Sequence, residues 1–224
     1  MVKKKILFLC SGGGGSMIFV DMASKHLNAP FEVAAVVADR ECDALEYGKI
    51  NGMRTQFFKP WRELTSSIVD CIRDINPDIV VTNISKILPK DIFKCCNARF
   101  INLHWSLLPA FGGVIGFKTL ELAKEKNSRI IGATCHYVNE ELDGGTIISQ
   151  GALTVDWNDS IEAIQRKVYR TASKVLLNGI YEVLGFTGKN NSSDGSIYSP
   201  SLVYDDSFID EAFWQGTFFN AHNK

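Results

Sequence analysis

Short apolar runs alternate with stretches whose apolar residues recur at helical spacing. Lys5–Cys10 (KILFLC), Phe31–Asp39 (FEVAAVVAD), Met53–Phe58 (MRTQFF), Asp78–Asn83 (DIVVTN) and Arg99–His104 (RFINLH) predict five strands. Between them, helical spacing predicts helices from Ser16 to Leu27, Cys42 to Ile50 and Leu64 to Ile75, the last stopped by Asn76-Pro77. Pro89 to Cys96 reads as a short helix with proline in its first turn. The strands are almost continuously apolar, which is the mark of strands covered on both faces.

Strands and helices alternating in this way predict an α/β fold: a Rossmann-like open, mostly parallel sheet with helices on both faces. After His104 the pattern changes. Ile131–Val138 (IGATCHYV) and Thr146–Val155 (TIISQGALTV) read as two strands joined by an acidic, glycine-bearing turn, and a long helix from Ser160 to Leu184 follows. We read residues 1–186 as one α/β domain built from these elements. Residues 187–224 read as a polar linker and an aromatic tail with Phe208, Phe213, Trp214, Phe218 and Phe219. Such a tail needs a surface to pack on.

Composition narrows the function classes. The 224 residues are 46% apolar and 22% charged, with a formal net charge of -1, so no excess of positive charge points to nucleic acid or an anionic membrane. No apolar run reaches the roughly 18 residues of a membrane span, and a cytoplasmic protein is the default expectation. Cys10, Cys42, Cys71, Cys95, Cys96 and Cys135 show neither C-x-x-C nor Cys/His zinc spacing, so free thiols and no metal are expected.

Ligands of an open parallel sheet bind beyond the carboxyl ends of its strands. Three features fall there. The turn Ser11–Met17 (SGGGGSM), with Gly13, Gly14, Gly15 and Ser16, leads from a strand into a helix, where open backbone amides suit an anion such as phosphate. A merely permissive turn is the alternative. Met17 breaks the G-x-G-x-x-G spacing and no GK[ST] follows, which counts against a dinucleotide-dependent oxidoreductase and excludes a P-loop. Asn102 and His104, two apart on a strand, leave the same face. An amide beside an imidazole suits acyl transfer, stabilising a carbonyl oxyanion and handling a proton. Asp143, in Asn139–Gly145 (NEELDGG), could orient His104 and relay that proton, or be an ordinary solvated turn acid. His136 reads as structural.

INLHWSLLPAFGG followed by IGATCHYVNEELDGGTIISQ resembles the folate-dependent formyltransferases, and within them the branches of phosphoribosylglycinamide formyltransferase and of the hydrolase domain of formyltetrahydrofolate deformylase. The resemblance spans residues 4 to 186. It implies 10-formyltetrahydrofolate as co-substrate and Asn102, His104 and Asp143 as catalytic residues. It implies Ile87, Leu88 and the loop Asn139, Glu140, Glu141 and Leu142 as the lining of the folate pocket, and Gly13–Ser16 as the phosphate site for glycinamide ribonucleotide. The departures lie on the acceptor side. Met17 replaces an asparagine, Phe117 a histidine, Ala172-Ser173 a Glu-His pair and Ser85-Lys86 a Met-Arg pair, while Trp105 stands where proline or a second histidine is common.

The expected function is transfer of a formyl group to an amine, glycinamide ribonucleotide or a related one, in purine biosynthesis. The alternatives are hydrolysis of formyltetrahydrofolate, N-formylation of an amino sugar on a nucleotide, and folate binding without turnover. The partners expected are the folate and the amine, with no nucleic acid and no membrane. The oligomeric state is left open, a homodimer included.

Overall fold

The computed structural model describes residues 2–59, 61–84, 86, 88 and 90–218. The chain forms two compact units, one of residues up to Ile101 together with the stretch from Glu211, the other of Asn102–Asp210.

The first unit holds β1 (Lys4–Cys10), α1 (Gly15–His26), β2 (Phe31–Ala38), α2 (Asp43–Ile50), β3 (Arg54–Phe57), α3 (Thr65–Ile75), β4 (Ile79–Asn83) and the start of β5 (Arg99–His104). Its strands lie in the order β3-β2-β1-β4-β5, and every adjacent pair is parallel. Ile6, Leu7, Phe8 and Leu9 of β1 are fully buried, as the unbroken apolar run requires. The helix expected from Pro89 to Cys96 forms only a 3-10 turn, Lys90–Lys94. Pro89 lies outside the described residues.

The aromatic tail contributes a short helix to this unit, Glu211–Gly216. Its Trp214 stacks on Phe19 of α1, ring centroids 4.9 Å apart, and Phe213 meets the same ring edge-on at 5.7 Å. In chain order this helix, α6, follows α4 (Lys118–Glu125) and α5 (Ile161–Val183) of the second unit.

In the second unit, β6 (Ile130–Tyr137), β7 (Ile147–Thr154) and β8 (Ile197–Ser199) follow the end of β5 as neighbours, with β6–β7 and β7–β8 antiparallel. Ser160 caps α5 by accepting the Ala163 amide hydrogen at 3.2 Å. Where a polar linker is expected, residues 187–210 carry β8 and fasten to α5. Lys174, 2% exposed, donates to Asp194 at 2.8 Å and to Asp206 at 2.7 Å. One turn further along α5, Asn178 donates to the Pro200 carbonyl and accepts the Val203 amide hydrogen. No described helix is long and apolar enough to cross a membrane.

Candidate active site

β5 delivers Asn102 and His104, and the chain then turns sharply through Ser106–Pro109. That turn is held from the facing hairpin. Thr134 of β6 and Gln150 of β7 are register partners. Thr134 Oγ1 donates to the Ser106 carbonyl at 2.7 Å and accepts from the Leu108 amide at 3.0 Å, while Gln150 Nε2 donates to the Leu108 carbonyl at 3.0 Å. The buried hydroxyl therefore uses its donor and its lone pairs, and the strand end is fixed in position.

His104 is 5% exposed. Its Nδ1 lies 3.2 Å from Asp143 Oδ2, and its Nε2 donates to the Phe111 carbonyl at 3.1 Å. Burial pushes the His104 pKa down, and this outweighs the nearby Asp143 carboxylate and the Phe111 carbonyl, which both raise it. The expected pairing of Asp143 with His104 thus has a geometry.

Asp143 sits in the left-handed region, φ 53°, at the tip of the β6–β7 hairpin. The second of the two glycines after it is required by packing. A Cβ on Gly145 would lie 1.6 Å from the Tyr137 carbonyl oxygen, whereas one on Gly144 would meet only the exposed Glu141 side chain, which can move aside. Asp143 Oδ2 also accepts the Gly113 amide hydrogen at 2.7 Å. Its Oδ1 faces His136 Nε2 at 3.6 Å, and His136 Nδ1 donates to the Tyr137 carbonyl at 2.8 Å.

His136 reads as structural in the sequence; in the fold its ring lies against Asp143. Its position two residues beyond Thr134 on β6, the same face, is the signal that could have found it. Asn102 is half-buried on the face of β5 that carries His104. Trp105, the next residue, turns the other way. Its ring lies 4.9 Å from Phe117 and 6.3 Å from Tyr169, against a core cluster of Leu120, Ala123, Ile131, Ile164 and Val168. Ala172 and Ser173 are fully buried, so neither offers a side chain to a ligand.

The loop Asn139–Leu142 is exposed throughout, and Asn139 Oδ1 accepts the Glu141 amide hydrogen at 3.0 Å to tighten it. Of the other residues implied for folate, Leu88 belongs to the first unit and is half-buried, and Ile87 lies outside the described residues.

In the first unit, Gly12 and Gly13 have open space where a Cβ would stand. Gly14, at φ 72°, has Ala44 of α2 against it instead, 2.7 Å from such a Cβ. Ser16 and Met17 are buried in α1, Met17 fully, which makes the replaced asparagine a core position here. Beside this turn the buried Asp39 carboxylate accepts from Arg40 at 3.0 and 2.8 Å and stands 3.8 Å from Lys86; of the two cations, Arg40 is the one that the sequence alone did not single out.

Residues 4–180 match the formyl transferase family. The chloroplastic phosphoribosylglycinamide formyltransferase of Arabidopsis thaliana is 31% identical over 193 residues, which is 82% of this chain and 65% of the plant protein. Formyltetrahydrofolate deformylase of Escherichia coli (strain K12) is 35% identical over 123 residues, 54% of this chain and 43% of that protein. The chain therefore spans less than two thirds of the length of either relative. Among solved structures, glycinamide ribonucleotide transformylase 1 from Symbiobacterium toebii superposes with a TM-score of 0.74 at 23% identity, covering 84% of this chain and 92% of the other. That likeness carries the fold.

Proposed function

Because the chain belongs to the formyl transferase family, we propose that it moves the formyl group of 10-formyltetrahydrofolate onto an amine. The observation that carries the reading is the pairing of His104 with Asp143 at the end of the strand that bears Asn102.

The amine nitrogen attacks the formyl carbon and the carbonyl becomes an oxyanion. The Asn102 amide and the His104 Nε2–H donate to that oxygen, and such donors act most strongly where charge develops. Asp143 holds His104 in orientation and receives the proton that the attacking amine loses. The tetrahedral centre collapses by breaking its bond to the folate N10, which takes a proton and leaves as tetrahydrofolate. The exposed loop Asn139–Leu142 receives the folate. Within the first unit, Gly12 and Gly13 leave room for an anionic group, with Arg40 and Lys86 beside them. Residues 1–186 carry this chemistry, and the described residues beyond them, 187–218, support it by packing.

Glycinamide ribonucleotide is the first acceptor to test, by the names of the relatives. A different amine is the second reading, and the burial of Ala172 and Ser173 favours it, since the ribonucleotide contacts implied at those positions have no side chain to make them. The deciding assay follows tetrahydrofolate release from 10-formyltetrahydrofolate with glycinamide ribonucleotide, with amino-sugar nucleotides, and with no acceptor. Release only with an amine supports transfer. Equal release without one makes the protein a hydrolase, and no release in any arm removes the reading.

A further inference from the structure

His104 and Asp143 do not stand open to solvent; a short piece of the chain is already bound to them. Phe111 presents its carbonyl to His104 Nε2–H at 3.1 Å, and Gly113 presents its N–H to Asp143 Oδ2 at 2.7 Å. A formamide, the class of product made when an amine accepts a formyl group, offers the same pair of groups, a carbonyl oxygen that accepts and an N–H that donates. We infer that Phe111–Gly113 is an internal ligand, holding the places of the product carbonyl and N–H, and that substrate binds only when this segment turns away. The inference rests on the formyl-transfer reading for the identity of what is displaced, but the displacement itself does not need turnover.

Two features make the segment releasable. Gly112 and Gly113 are exposed, and Gly113 itself sits at φ 79°, so the two peptides between Phe111 and Gly113 turn with little steric opposition. The anchors lie outside them. Ser106 Oγ donates to the Ala110 carbonyl on one side, Thr119 Oγ1 donates to the Trp105 carbonyl on the other, and the Phe111 ring rests on the α4–α5 core. The movement is therefore a rotation of the 111–112 and 112–113 peptides between fixed ends, and the ring stays where it packs. While it is engaged, His104 has no Nε2–H left for an oxyanion, and one oxygen of Asp143 already holds a donor.

Gly113→Ala tests this. Alanine disfavours φ 79°, and its Cβ would meet only Leu142 Cδ2, at an ordinary 3.6 Å, so the substitution acts on the engaged conformation and leaves the packing around it intact. Amide hydrogen exchange at position 113 is expected to rise about tenfold in the variant, with kcat/KM for formyl transfer rising by a similar factor. In the unaltered protein, N-methylformamide is expected to speed exchange at the same amide by taking its place on Asp143. Unchanged exchange in both experiments overturns the inference. So does faster exchange in the variant with kcat/KM unchanged or lowered, because the contacts would then be idle or productive. A protein that shows no turnover with any acceptor, yet exposes the amide on adding N-methylformamide, counts against formyl transfer and leaves the internal ligand standing.

Discussion

His136 Nε2 and Asp143 Oδ1 face each other 3.6 Å apart, both side chains buried, and no hydrogen bond among the described residues reaches that nitrogen. The Tyr137 carbonyl can only accept, which commits His136 Nδ1 as the donor. A neutral ring then turns a lone pair toward the carboxylate. The contact becomes favourable when one proton sits between them, so this pair is suited to take up the proton that leaves an attacking amine.

His136→Leu is accordingly expected to lower kcat about 10–100-fold, the worth of one buried polar contact to a charged group. His136→Gln, whose amide oxygen keeps an acceptor toward a protonated Asp143, is expected to recover part of that loss, with the KM for folate little changed in both. Steady-state kinetics of the two variants decide it. Equal loss in both would reduce His136 to a space-filling ring.

The second prediction concerns pH. Burial holds the His104 pKa below the ordinary 6.5 against the upward pull of Asp143, so the folded state disfavours the imidazolium. The sign follows by linkage: stability from this residue is full above pH 6.5 and declines as pH falls toward the lower folded value. Asp143→Asn removes the main raising influence, and His104 is expected to titrate lower still. Imidazole resonances followed against pH measure both; an upward shift in the variant would contradict the assignment.

Lys174 gives a prediction about stability. Replacing it by methionine leaves the Asp194 and Asp206 carboxylates without their shared cation and is expected to cost about 3–5 kcal/mol in urea denaturation at pH 7. Burial acts to raise the Asp194 pKa, but the Lys174 hydrogen bond and those from Ser192 and Ser196 prevail and hold it down to about 2. Stabilisation from Asp194 is present above its ordinary 3.8 and is lost as pH falls through about 2. The difference between the parent and Lys174→Met should therefore shrink across that interval.

Trp214→Ala is expected to destabilise by about 3–5 kcal/mol, because it empties the stack on Phe19. Trp214 is 3% exposed, so the loss is one of packing. Chemical denaturation measures it, and a value below about 1 kcal/mol would mean that the tail helix adds little to the first unit.

Most elements were legible because they rest on local patterns. β1 and β2 carry unbroken apolar runs, and α3 keeps Ile68, Ile72 and Ile75 on one buried face. α4 was not read, since Leu120 and Ala123 are its only buried apolar residues and glycines precede it. β8 and α6 are three and six residues long and owe their form to what they pack on, β7 and α1. The same division holds at the candidate site. Asn102, His104 and Asp143 were visible as side chains of the right chemistry in recognisable motifs. The Phe111 carbonyl and the Gly113 amide were not, because every residue has such groups and only the folded turn says where they go.

Lys174 lies inside the stretch that matches the family, which ends at residue 180, while both of its carboxylates lie beyond it. Neither side is tolerable alone. A chain that sheds its last forty residues strands an ammonium group on a wall of α5, and a chain that first exchanges the lysine strands two acids against a helix that no longer answers them. The lysine and the two acids it holds are therefore one unit, and a change on either side calls for a matching change on the other.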